Sequence, residues 1–378
     1  MGEFRPLGGK IVTRPFLVLA AVALFAGVLL VKRFVYGIGA VSNMSDGYPW
    51  GIWITYDVVV GTAFACGGYA LAMLVYVLNK KTYYPLIRSA ILASMFGYTL
   101  AGVSIFFDVG RYWQAYNLIL PWYSQLSSVM FEVALCVTTY IMVLWIEFAP
   151  SFLERWNKER MLKVLRKVLF LFIAVGVLLP TMHQSSLGLL VYIAGQKVSP
   201  LWQTGFLPLL FLITSITMGY AIVVFESILS SVGFRRPLET GLLAKLSAII
   251  PKLLALYLVI RFGDLIGRGE LGLVFRGDMK SIMFIVENLL YLIPTVILFS
   301  PANRERPRML FIGAVLMLLA GAVYRFNTFL VGFDPGPGWH YFPSFSETMI
   351  TVGLIAVEIM GYLLFVKTLP VLPSLKHA

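Results

Sequence analysis

The sequence predicts an all-α integral membrane protein of about ten transmembrane helices, arranged as helical bundles in one polytopic domain over residues 1–378. Three observations carry that prediction. Hydrophobic residues make up 59% of the chain and charged residues only 13%, with a mean hydropathy of +0.86. A soluble domain carries roughly a quarter charged residues, so this chain has too little polar surface to face water alone. Apolar runs of about 20 residues, each able to cross about 30 Å of hydrocarbon, recur from end to end. The net charge of +12 does not point to nucleic acid, because the basic residues sit in short loops between the runs and not on one face or tail.

Taken in order, the apolar runs place spans at approximately 15–37, 51–78, 84–109, 124–149, 161–183, 200–230, 239–265, 280–300, 308–331 and 345–369. The first follows Arg5, Lys10 and Arg14 and ends in Lys32 and Arg33 with no small-residue cleavage site, so it reads as a retained helix and not a signal peptide. Most of the 30 basic residues fall on the side of the N-terminus, which predicts that both termini are cytoplasmic. Trp50, Trp53, Trp113, Trp122, Trp202 and Trp339 gather toward the opposite, outer side. The outer connections are the elaborate ones, notably Phe333 to Pro343 with its prolines and glycines, and this face reads as a docking or substrate surface.

Each span carries polar groups that cost roughly 2.5 to 3.5 kcal/mol at a membrane centre and so need a partner, water or a function. The second opens on Pro49-Trp50-Gly51, holds Trp53 and Asp57, and continues into Gly61, Ala63, Gly67 and Gly68, small residues that permit close helix approach. Asp108 and Arg111 close the third, Glu132 lies in the fourth, and His183 and Gln184 follow Pro180, which is expected to end the fifth. Glu226 approaches the cytoplasmic end of the sixth. Lys252, Arg261 and Asp264 lie in the seventh, Glu287 in the eighth, Arg325 in the ninth, and Glu347 and Glu358 in the tenth. Asp108 with Arg111 and Arg261 with Asp264 stand three residues apart, a spacing that also fits plain intrahelical ion pairs. Asp57, Glu132 and Glu287 have no basic neighbour at helical spacing, which favours function. For His183 a capping cluster and a substrate-binding turn are both open.

Two cysteines, Cys66 and Cys136, cannot supply the four thiolates of an iron–sulfur cluster, and no metal site is expected. A membrane b-type haem needs two axial histidines on facing helices. The chain has three histidines, with His340 in an outer loop and His377 in the tail, so only His183 lies near a span, which excludes two bis-histidine haems by number and leaves a single His–Met haem as the open haem alternative. Redox chemistry without a haem or cluster points to a diffusible quinone. Its reduction takes two electrons and two protons and calls for hydrogen-bond donors beside proton-relaying carboxylates or a histidine.

At these motifs the sequence resembles the NrfD and polysulfide-reductase membrane-subunit family, and within it the membrane subunits of hydrogenase-2-type [NiFe] hydrogenases. The family-wide likeness rests on Pro49-Trp50-Gly51 with Asp57 and on Phe107-Asp108-Val109-Gly110-Arg111. The closer likeness rests on the strings at 6–11, 64–68, 108–113, 148–150, 179–186 and 200–203, in that order. The resemblance implies a ten-helix, haem-free quinone-reactive subunit of the bacterial inner membrane. Its partners would be a periplasmic ferredoxin-like iron–sulfur subunit and, through it, the large and small subunits of a [NiFe] hydrogenase.

Hydrogen would be oxidised outside and menaquinone reduced near the outer face, this chain contributing the quinone pocket and proton routes to a hydrogen:quinone oxidoreductase. The resemblance carries the quinone or proton role onto Asp57, Asp108, Arg111 and His183, and depth adds Glu132. Trp50, Trp53, Gly67 and Gln184 join Asp57 and His183 as expected quinone contacts. Lys252, Arg261, Asp264, Glu287, Arg325 and Glu358 are expected along a proton path, which draws either on outer water or on the cytoplasm. Three alternatives remain: the same quinone module serving another periplasmic oxidoreductase, a proton-coupled secondary transporter using Lys252, Glu226 and Glu358, and a purely structural anchor. Against transport stand the outer clustering of polar groups and an expected absence of interrupted helices in matching halves.

Overall fold

The computed structural model describes residues 4–118 and 120–374; His377 lies outside the described residues. In chain order the helices are α1 (Arg14–Tyr36), α2 (Gly61–Phe64), α3 (Gly67–Ala72), α4 (Ile87–Asp108), α5 (Val129–Arg155), α6 (Glu159–Ile193) and α7 (Leu207–Gly233). They continue as α8 (Thr240–Ser247), α9 (Ile250–Gly267), α10 (Met279–Phe299), α11 (Pro301–Arg304), α12 (Pro307–Phe326) and α13 (Phe345–Thr368). Among the described residues, nine helices are long and apolar enough to cross a membrane, so the chain is an all-α, multi-span membrane protein. The expected span 161–183 lies inside the 35-residue α6.

Local chemistry sets the helix ends. Proline stands in the first turn of α1, α7, α9, α11 and α12, where its missing N–H costs nothing. Asp278 caps α10 by accepting from Ser281 N at 2.7 Å. At α13 the Ser344 hydroxyl accepts from Glu347 N at 3.1 Å while Ser344 N donates to the Glu347 carboxylate at 2.7 Å, a complete capping box.

The chain divides into two compact units. One contains Met1–Thr62, Ile91–Leu179 and Pro335–His377. In it α1 packs along α13, where Gly353 faces Ala26 and leaves no room for a Cβ. Small residues at such a crossing let backbones approach and gain dispersion contacts in a solvent that supplies no hydrophobic drive. A two-residue strand pair, Phe4–Arg5 with Leu372–Pro373, ties the two ends of the described chain together. Ala26 and Arg33 are the buried residues of α1, and Leu17, Val18, Leu24, Val28, Val31 and Val35 present exposed apolar surface, as suits a helix bathed in lipid.

The other unit contains Ala63–Ala90 and Pro180–Asp334. Its centre is α7, packed against α3, α9 and α12, with α10 lying against α9 and α12. Gly219 of α7 meets the Cys66 backbone, where a Cβ would stand 2.6 Å from the carbonyl oxygen. Gly67 likewise faces Ile222 and Val223 of α7.

Two sequence expectations change here. The second span is not one regular helix: π-helical turns at Trp53–Val60 and Met73–Val77 flank α2 and α3, with a turn at 65–66 between them. The glycines at 61, 67 and 68 supply little side-chain packing to hold regular geometry, and π-turns of this kind recur at functional sites. The seventh span is also broken, between α8 and α9. Interrupted helices are therefore present, and their expected absence no longer counts against transport.

Pro180 does not end its helix either, because α6 runs through it to Ile193. Membrane helices tolerate an interior proline because neighbouring groups and small local adjustments re-satisfy the freed backbone. His183 thus sits within a helix and not on a turn.

Candidate functional site

Each unit encloses its own buried polar cluster. In the unit built around α7, Glu287 of α10 is fully buried and receives four groups from other elements. Trp202 Nε1 donates to it at 2.8 Å, Asn327 Nδ2 at 2.7 Å and Tyr257 OH at 3.4 Å, while Arg261 Nη2 stands 3.7 Å away. That last distance makes an ion pair and not a hydrogen bond, so Arg261 Nε and Nη2 lack acceptors among the described residues. The Arg261 guanidinium instead lies over the rings of Phe284, at 5.0 Å, and Tyr324, at 5.8 Å.

Asp264 is not the partner of Arg261. It pairs with Arg268 at 2.8 Å, one turn further along. The reason is helical phase: Arg261 points into the unit, whereas Asp264 and Arg268 meet near its surface, where Arg268 also reaches Pro200 O at 2.9 Å.

Arg325 of α12 is equally buried and has no carboxylate partner among the described residues. Its guanidinium donates over long distances, to Gln184 Oε1 and Thr214 Oγ1 at 3.4 Å and to Gly321 O at 3.3 Å, and touches Met218 Sδ at 3.2 Å. His183 is fully buried beside Gln184, with Nε2 3.3 Å from the Gln184 amide. The structure thus gathers His183, Gln184 and Arg325 into one neighbourhood and Arg261 with Glu287 into another within the same unit. Lys252 joins neither, being exposed in the first turn of α9.

In the other unit the interior acids lie along α13. Glu347 is fully buried, and its carboxylate accepts from Asn43 N at 2.9 Å and Tyr341 OH at 2.8 Å in addition to Ser344 N. Burial and that neighbouring carboxylate push the Tyr341 hydroxyl well above the ordinary tyrosine range, so it stays a donor. Tyr341 OH in turn accepts from Ile52 N at 2.7 Å, and Trp53 Nε1 donates to Glu347 O at 3.3 Å. Sequence reasoning placed Glu347 on the outer polar rim without a role. Its capping-box position three residues after Ser344 is the signal that could have singled it out.

Asp57, only 7% exposed, accepts from Thr351 Oγ1 at 3.2 Å, one turn below Glu347. Asp108 and Arg111 do not form the intrahelical pair that their spacing allows. Arg111 is exposed, and Asp108 Oδ1 has no hydrogen-bond partner among the described residues. The helix ends at Asp108 and carries Arg111 out of phase. The nearby cation is instead Arg33 of α1, which donates to Phe107 O at 2.8 Å and Val109 O at 2.6 Å.

Glu132, in the first turn of α5, and Glu358, in α13, are half-buried. Trp53 and Trp202 are wholly buried and hydrogen-bonded, so they anchor the interior and do not belong to an interfacial belt; Trp50 is also buried. Trp113 and Trp122 remain exposed. Among the described residues no group of three or more His, Cys, Asp or Glu side chains is arranged to hold a metal ion, and Cys66 and Cys136 are buried and not joined in a disulfide.

A multi-span helical protein whose interior carries buried acids, guanidiniums and a histidine falls in the class of polytopic membrane proteins with ionisable groups inside the bilayer. The family described as "Polysulphide reductase, NrfD" matches residues 40–333, and the chain belongs to it. It is similar to the "Probable Ni/Fe-hydrogenase 2 b-type cytochrome subunit" of Escherichia coli strain K12, with 48% identity over 99% of this chain and 96% of that one. A protein of Nitratidesulfovibrio vulgaris strain Hildenborough is 34% identical over 98% of this chain and 96% of its own length. The "Menaquinone reductase, integral membrane subunit" of the same organism is 25% identical over 89% of this chain and 86% of its own length.

Proposed function

We propose that this chain is the haem-free, quinone-reactive membrane subunit of a periplasm-facing [NiFe] hydrogenase complex. It accepts electrons from a ferredoxin-like iron–sulfur subunit, itself fed by the hydrogenase large and small subunits, and passes them with protons to menaquinone. In this reading ten spans cross the bacterial inner membrane, both termini are cytoplasmic, and the outer loops around Pro335 and Pro337 meet the partner.

The observation that carries the proposal is the similarity of almost the whole chain to a hydrogenase-2 membrane subunit, joined to the buried acids of its interior. The likeness to a menaquinone reductase subunit supports the quinone as substrate. It also favours a second reading, in which the same module serves a different periplasmic oxidoreductase. The haem-free assignment rests on the histidine count, since by sequence position His183 is the one of the chain's three histidines that lies near a span.

Quinone reduction consumes two protons, and the chain's own groups are suited to holding and moving them. Asp57, Asp108 and His183 act as proton-bearing groups, Gln184, Trp50 and Trp53 as polar and aromatic contacts, with Arg111 and Glu132 near the outer end. Arg261, Asp264, Glu287, Arg325, Lys252 and Glu358 are the candidates for conduction toward the cytoplasm.

The test is hydrogen-driven reduction of a menaquinone analogue in membranes with and without this chain, with hydrogenase activity toward an artificial dye as the control. Loss of quinone reduction with dye activity intact is the expected result. Persistence of both activities overturns the proposal and leaves another partner or transport.

A further inference from the structure

Both acids of the family motifs, Asp57 and Asp108, lie inside the segment that the family covers, whereas α1 and α13 lie outside it. Yet the side chains that engage these acids or their backbone come from the two outlying helices. We propose that α1 and α13 form an added helix pair that positions and tunes the family acids, Thr351 acting on Asp57 and Arg33 on Asp108.

The Thr351 contact is specific. A threonine inside a helix ordinarily turns its hydroxyl back to the carbonyl four residues earlier. Here that carbonyl, Glu347 O, receives the Trp53 indole at 3.3 Å, and the Thr351 hydroxyl donates to Asp57 Oδ2 at 3.2 Å. Thr351 is 4% exposed, and its hydroxyl makes the one hydrogen bond to the Asp57 carboxylate among the described residues. Glu347, one turn away, is held by its own donors, which fixes the height of α13 against the turn that carries Asp57.

Arg33 works through backbone. Its two bonds to Phe107 O and Val109 O close the C-terminal end of α4, where helix carbonyls lack partners and a cation is favoured. The guanidinium is 1% exposed, lies 5.0 Å from the Phe34 ring centre and 5.5 Å from that of Tyr112, and interacts electrostatically with Asp108 between the two carbonyls it holds. The side chain of Asp108 therefore leaves the helix end in a direction set by α1. The close crossing at Gly353 and Ala26 makes the two helices one support, so both acids are referred to the same frame.

The inference rests on the quinone reading only for its consequence in turnover, and the experiment separates the two. In the intact complex, the infrared carboxyl band of Asp57, assigned by its loss in Asp57→Asn, is titrated in Thr351→Val, Thr351→Ala and Thr351→Ser. Loss of one hydrogen bond to a charged acceptor is expected to move the titration midpoint by about one pH unit in the Val and Ala variants, and Ser restores it. The pH profile of hydrogen-driven quinone reduction moves with it, while dye-linked activity does not. Arg33→Met shifts the Asp108 band in the same assay. An unmoved Asp57 midpoint in both Val and Ala variants overturns the positioning role. A moved midpoint, combined with full quinone turnover in Asp57→Asn, upholds the positioning role and overturns the part given to Asp57 in quinone chemistry.

Discussion

The Trp202 indole donates to the Glu287 carboxylate at 2.8 Å, joining two fully buried side chains that the chain keeps far apart in sequence. The bond matters because Glu287 shares one buried site with Arg261, and the pair must be satisfied from several sides to persist away from water. Removing either charge alone leaves the other stranded.

Glu287→Leu is therefore expected to destabilise the protein by about 3 to 5 kcal/mol, the range seen when one partner of a buried ion pair is lost. The double replacement Arg261→Met with Glu287→Leu is expected to recover most of that loss. Thermal unfolding of the purified protein in detergent checks both, and an additive double variant would refute a coupled pair.

Trp202→Phe keeps the ring and removes the donor. It is expected to cost about 1.5 to 3 kcal/mol, the worth of a hydrogen bond to a charged group, and to leave the ring packing against Phe284 in place. Denaturation midpoints compared with Trp202→Ala separate the hydrogen bond from the packing.

Gly353→Leu has no space at the crossing with Ala26. The expected outcome is detachment of α1 from α13, read as new protease cleavage between residues 37 and 50 in detergent-solubilised protein. Gly263→Leu, in open space on α9, serves as the control and is expected to behave as wild type.

Asp278 lies outside the spans, and the bonds from Ser281 hold its carboxyl below the usual aspartate range. A depressed folded-state value means that the cap stabilises α10 at neutral pH and above the unfolded value, and is lost as pH falls through the folded value. Asp278→Asn is expected to flatten this acid-side loss of stability, measured as melting temperature between pH 2 and pH 6. An unchanged acid slope would remove Asp278 from the account.

Asp57→Asn and His183→Ala are expected to lower quinone turnover at least tenfold, in line with the loss of a positioned acid or base, while the complex still assembles. Activity with quinone and with dye, set beside recovery of the partner subunits on purification, decides it. Loss of assembly in both variants would count against the site assignment.

Composition and run length were enough to make this chain an all-α membrane protein, because lipid admits few other ways of satisfying a backbone. They also exposed the acids at 57, 108, 132 and 287 as costly residues in need of a reason. Sequence spacing misled where helical phase decided the partner: Arg261 stands three residues from Asp264 yet pairs with Glu287. Pro180 signalled a stop, yet the helix runs through it to Ile193. Arg33 read as one of two basic residues that end the first span, and only its burial against Phe107 and Val109 gives it a task.

The sequence by itself determined the solvent of this protein, its family, and which residues had to be explained, since hydropathy and motif order are properties of the chain. Tertiary structure alone decided the partners: Glu287 with Arg261 and Trp202, Asp57 with Thr351, and Arg33 with the Phe107 and Val109 carbonyls that flank Asp108. Such pairings depend on which helix faces which and at what height, and those quantities arise from packing between segments distant in sequence. One-dimensional spacing carries no measure of them.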